Sequence, residues 1–158
     1  MPYNKKITLF AILLAFVVIV FGAYVRLTDA GLGCPDWPGC YGFFGVPESS
    51  ESLSEVDKTF PGQVVESGKA WREMIHRYIA STLGFLIMVL FGLSLLQRKK
   101  HSKHISIRLP FYLLMLVAFQ GLLGMWTVTL KVHPVIVSAH LIGGLSTLSL
   151  LFYYYKKL

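Results

Sequence analysis

Carboxylate side chains are missing from most of this chain. No Asp or Glu precedes Asp29 and none follows Glu73, so all eight acids (Asp29, Asp36, Glu48, Glu51, Glu55, Asp57, Glu66 and Glu73) fall in one stretch. Nine of the fifteen Lys and Arg residues lie at the N-terminus, in 98–108 and at the C-terminus, where no acid occurs. The net charge of +7 is therefore sided along the chain, the pattern of a membrane protein rather than of a nucleic-acid groove. Cysteine is almost absent, with Cys34 and Cys40 alone. A third ligand at useful spacing from any His pair is missing too, which argues against zinc. No internal repeat of 20–50 residues stands out, so a solenoid is excluded.

Apolar residues are what the chain has in excess. They make up 54% of it, with a mean hydropathy of +0.60, more than a soluble domain carries. Four runs, at about 7–25, 74–96, 109–130 and 135–155, are each long enough to cross a bilayer at about 1.5 Å per residue. The first lacks the small-residue cleavage point of a secretory signal and reads as an uncleaved span. The polar segment 26–73 is too long for a simple connector, and residues 48–58 have the composition of a short surface helix. Aromatic Tyr153, Tyr154 and Tyr155 followed by Lys156 and Lys157 make an interfacial anchor. Excess positive charge at both termini and in the 98–108 hinge predicts an all-α, four-helix membrane bundle. Its termini lie in the cytoplasm and the 26–73 loop outside.

The stretch Trp71-Arg72-Glu73-Met74-Ile75-His76-Arg77 opens the second span. Glu73 and His76 are spaced i,i+3 and share a helix face. Ionisable groups at membrane depth are costly and mark function, the bland alternative being charges that snorkel from an interfacial cap. His140 lies early in the fourth span, which runs in the same direction as the second, so His76 and His140 fall within a few ångströms (about 1.5 Å per residue) of equal depth. Two such imidazoles on facing helices can hold the iron of a flat macrocycle from both sides. Ala80, Gly143 and Gly144 are small residues beside them that leave room for a tetrapyrrole, or serve close helix packing. Arg26, Arg72 and Arg77 near the outer boundary can pair with propionates. Gln120, mid-way through the third span, reads as an interhelical hydrogen-bonding group. Cys34 and Cys40 in an external loop read as a structural disulfide, with free or redox-active thiols as the alternatives.

The sequence Gly31-Leu32-Gly33-Cys34-Pro35-Asp36-Trp37-Pro38-Gly39-Cys40, followed by Glu73-x-x-His76-Arg77 and an early His in the last span, resembles the haem A synthase family over essentially the whole chain. That resemblance implies an oxidoreductase converting the C8 methyl of haem O to the formyl group of haem A for terminal cytochrome oxidases. It implies haem O as substrate, haem b as cofactor, and a multi-pass protein of the cell (inner) membrane with its haem site near the extracytoplasmic side. Haem O synthase and an electron donor would be partners beside the lipid bilayer, with no nucleic acid. In this reading His76 and His140 are axial ligands, Glu73 is catalytic, and Arg26, Arg72 and Arg77 bind the haem. Usual members have two four-helix halves. This sequence resembles the half bearing the Glu and the cysteines, which implies a homo-oligomer. Three other readings compete: a b-type cytochrome electron-transfer subunit, a quinone-linked thiol oxidoreductase, and an assembly factor without tetrapyrrole.

Overall fold

The computed structural model describes residues 3–101 and 107–158. Residues 102–106 of the basic hinge expected over 97–108, Lys103 and His104 included, lie outside the described residues. Five helices form among the described residues, with no strand: α1 (Tyr3–Leu27), α2 (Ser50–Thr59), α3 (Ser67–His101), α4 (Arg108–Thr129) and α5 (Pro134–Lys157). All but α2 are long and apolar enough to cross a membrane. These four are apolar on every side, as helices that face lipid on one side and each other on the other must be.

The four long helices form a square in cross-section. α1 packs on α3 and α5, and α4 packs on the same two, so α3 and α5 face each other across the diagonal. Ala11 and Ala15 on α1, one turn apart and without bulk, let the neighbouring helices approach. Leu83, Ile87 and Leu90 of α3, Leu113 of α4, and Leu151 and Tyr154 of α5 complete this core. It occupies the half of the bundle away from the long loop. There the few polar groups satisfy one another: Asn4 and Gln97 exchange amide hydrogen bonds of 2.9 and 3.1 Å, and Ser94 Oγ meets Tyr154 Oη at 2.9 Å. Phe16, Val20, Phe85 and Ile142 point outward.

At the loop-side end, α1 and α4 stop in the same way. Ala30 N donates to Val25 O and Asp29 N to Arg26 O. Val132 N donates to Thr127 O and Lys131 N to Val128 O. Both are Schellman closures that satisfy orphan carbonyls, with Asp29 and Lys131 in the left-handed region at φ 47° and 49°. Pro134 in the first turn then starts α5, a position where its missing N–H costs nothing. α2 begins at the side chain of Ser49, which accepts from Ser52 N at 3.1 Å.

α3 starts two turns before the apolar run of the second span. Its first turns pack against the loop instead of lipid: Ala70 and Met74 are buried with Cys34, Cys40, Tyr41 and Val56 in a small second core. An apolar window marks where a helix meets hydrocarbon and is blind to a helix that continues into a folded loop.

Candidate functional site

The loop is fastened to α3 at the heptad. Gly33 lies directly on the α3 backbone, and a Cβ there would stand 2.6 Å from the Lys69 carbonyl carbon and 2.7 Å from Ala70 N. The next residue, Cys34, donates its N–H to Glu73 Oε2 at 3.0 Å. Cys34 and Cys40 are joined, Sγ to Sγ 2.00 Å, with their Cα atoms 4.8 Å apart. Between them Trp37–Pro38 is cis. The Asp36 carboxylate accepts from the Tyr41 and Gly42 amides at 2.5 and 2.9 Å, which ties the two ends of the turn together. Burial raises the Tyr41 hydroxyl above its ordinary pKa, with the Glu66, Asp36 and Glu73 carboxylates adding to the effect. That group stays a neutral donor to Val64 O.

Arg77 completes the junction. Its Nη2 donates to Glu73 Oε1 at 2.5 Å and to Asp36 O at 3.1 Å, and its Nη1 donates to Pro38 O at 3.3 Å and to Gly39 O. The ion pair is nearly enclosed, with the Arg77 and Glu73 side chains 12% and 6% exposed. Such a pair is stable only where the remaining donors and acceptors are filled, and the loop carbonyls and the Cys34 amide fill them. The guanidinium therefore faces the Cys34–Cys40 turn. Arg72 and Arg26 lie differently: Arg72 Nε donates to Gly68 O at 2.8 Å, and Arg26 stands 3.6 Å from Asp29, both near the surface.

His76 and His140 sit on the diagonal helices, in the loop-side half of the bundle. The His76 ring stacks near Phe21 of α1, with centroids 6.4 Å apart. Gly22 of α1 lies against the ring itself, and a Cβ there would come to 2.8 Å from His76 Cε1. On the other diagonal, Gly124 of α4 stands beside His140, where a Cβ would be 3.7 Å from His140 Cε1. Gly22 and Gly124 are each five residues from the loop-side ends of their helices, so all four helices contribute at one level. The Nδ1 atoms of both histidines are buried without a hydrogen-bond partner, and so is Gln120 Nε2. Gly143 lies against the Gln120 carboxamide, and Gly144 faces Ile19.

Sequence reasoning singled out the two histidines, Glu73 and the cysteines, and the structure brings Glu73 against the bonded Cys34–Cys40 turn. It missed the Glu73–Arg77 pair, although the i,i+4 spacing was available. It also missed Gly22 and Gly124, whose signal was their equal distance from the loop-side helix ends.

No group of three or more His, Cys, Asp or Glu side chains able to hold a metal ion occurs among the described residues. Two imidazoles alone suit an iron whose other four donors come from a macrocycle. The unpartnered Nδ1 atoms, with Gly22 so close to the His76 ring that a Cβ would crowd it, fit such a group.

Comparison with known proteins gives the family. The family model described as cytochrome oxidase assembly protein (COX15-CtaA) matches residues 5–158. The chain is 50% identical over 141 residues to a protein of Shewanella oneidensis named Heme A synthase, covering 89% of this chain and 41% of that protein. It is 31% identical over 137 residues to the Heme A synthase of Sinorhizobium fredii (78% and 35% covered), and 29% identical over 152 residues to that of Parvibaculum lavamentivorans (85% and 43% covered). The chain thus spans about two fifths of the length of the curated relatives it matches. With four helices long and apolar enough to cross a membrane, and a family match along nearly all of its length, the chain belongs to the COX15-CtaA family of cytochrome oxidase assembly proteins.

Proposed function

We propose that this four-helix unit is a haem A synthase unit that binds haem O and oxidises its C8 methyl to a formyl group. The observation that carries the reading is the pair His76 and His140, at one level on diagonal helices, with unpartnered Nδ1 atoms beside Gly22 and Gly124. The relatives' name, Heme A synthase, supports the same reaction class.

In this reading His76 and His140 hold the haem iron. Iron when bound supplies redox chemistry that no side chain of the unit has. Arg26 and Arg72, at the loop-side surface, pair with propionates and orient the macrocycle. The Cys34–Cys40 turn covers the loop-side end of the site as a structural clamp, and Arg77 holds that clamp to α3. Glu73, one turn before His76, is the negative group that stabilises positive charge developing at the methyl carbon or receives its proton. The charge count supports an extracytoplasmic position for the loop and the site in this reading. One His pair per unit makes one iron site. A substrate haem O and a resident haem b therefore need two such units. Haem O synthase as supplier of the substrate and a separate electron donor are the further partners of the reading.

A b-type electron-transfer subunit is the second reading, and one observation favours it: both Glu73 oxygens are already engaged, by Cys34 N and by Arg77. Glu73→Gln separates the two. It keeps the size and an acceptor for Cys34 N while removing the charge. Haem O and haem A would be quantified by chromatography after co-expression with a haem O source. The synthase reading expects His76→Ala and His140→Ala to lose bound haem, and Glu73→Gln to retain haem but lose at least about tenfold in haem A formation. Undiminished haem A from Glu73→Gln would remove the carboxylate from the chemistry.

A further inference from the structure

Gln120 is a buried amide donor that the proposed chemistry leaves unused. The other amides within the long helices, Asn4 and Gln97, satisfy each other. Gln120 Nε2 is buried with no partner. In a bundle of lipid-facing helices no water competes for such a group, and an unmade hydrogen bond is expensive. The chain nevertheless makes room for this carboxamide. Its Nε2 occupies the place where a Cβ of residue 143 would stand, so the carboxamide rests directly on the α5 backbone at Gly143 and would have to turn away from a larger residue there. Gly143 is one turn from His140 on α5, and Gln120 is one turn from Gly124, the residue beside the His140 ring. The donor thus lies next to the histidine level, about one turn (roughly 5 Å) further from the loop.

Resting on the haem O reading above, that depth has a chemical meaning. Propionates drawn to Arg26 and Arg72 orient the macrocycle with its opposite edge away from the loop. In haem O that edge carries the isoprenoid-bearing side chain with its hydroxyl, where haem B has a vinyl group. We propose that Gln120 is a specificity-determining residue whose carboxamide N–H donates to this hydroxyl, so that the site selects haem O over haem B. A site built to hydrogen-bond a hydroxyl discriminates strongly against an analogue that lacks it, because its own donor is then stranded.

The test is equilibrium binding, not turnover. The full chain in detergent is stripped of pigment and titrated separately with haem O and with haem B, following the Soret band, for wild type, Gln120→Leu and Gln120→Met. The isoprenoid tail favours haem O in every variant, so the quantity read is the change in the haem O to haem B affinity ratio. Removal of the donor should lower that ratio roughly tenfold, mainly through weaker haem O binding, in both variants. An unchanged ratio in two variants that still bind haem B would overturn the assignment while leaving the haem reading intact. Failure of the wild type to bind either haem would instead overturn the haem reading, and this inference with it.

Discussion

Arg77 shows how a single residue changes meaning once the chain path is known. By sequence it is a basic side chain at the mouth of a span, suited to a propionate. In the structure its guanidinium bridges Glu73 and the carbonyls of Asp36, Pro38 and Gly39. A lysine could not reproduce that fork. Breaking a buried ion pair by removing one member strands the other, at about 3–5 kcal/mol. Arg77→Met should therefore lower the thermal midpoint of the purified protein well beyond the change caused by replacing both cysteines with serine, since closing so short a loop contributes only about 2 kcal/mol. A melting curve for Arg77→Met that matches wild type would refute the clamp. The Glu73–Arg77 pairing was legible in the i,i+4 spacing. The carbonyl acceptors were not, because they depend on how residues 36–39 turn in space.

Among the helices, the depth of each long segment was readable from composition, whereas the neighbours of each face were not. Apolar runs located α1, α4 and α5 within a few residues. The run over 74–96 missed the first two turns of α3, whose buried residues Ala70 and Met74 serve the loop. The small residues expected beside the histidines were Ala80, Gly143 and Gly144. The rings instead lie against Gly22 and Gly124 on the two intervening helices. Helix-to-helix register decides such contacts, and a single sequence carries little of it. The register makes Gly22 a sharp probe. A Cβ there would come within 2.8 Å of the His76 ring, so Gly22→Val must displace that imidazole. The expected result is loss of haem affinity by at least about tenfold with unchanged helical circular dichroism, since a displaced ligand forfeits more than about 1.4 kcal/mol. Wild-type affinity in Gly22→Val would contradict the placement of the site.

At the scale of the whole molecule, the bundle is asymmetric from end to end. The end away from the loop is closed by an aliphatic core and by satisfied polar pairs between helices. The loop-side half holds the histidines, the glycines and the clamp. The proposed orientation puts that half outside. Single cysteines introduced in place of Ser54 on α2 and Lys157 on α5 should differ accordingly. In intact cells a membrane-impermeant maleimide should label the first and should reach the second only after permeabilisation, and the reverse pattern would invert the topology.

Binding of a tetrapyrrole between His76 and His140, and action on haem O, can be read from the pigment itself. It would be extracted from protein purified out of cells that make haem O and identified by chromatography, together with a reduced-minus-oxidised spectrum. The wild-type extract should contain haem O or haem A, alongside haem b, and these should be lost from His76→Ala and His140→Ala. A colourless but well-folded wild-type protein would contradict both the binding and the reaction.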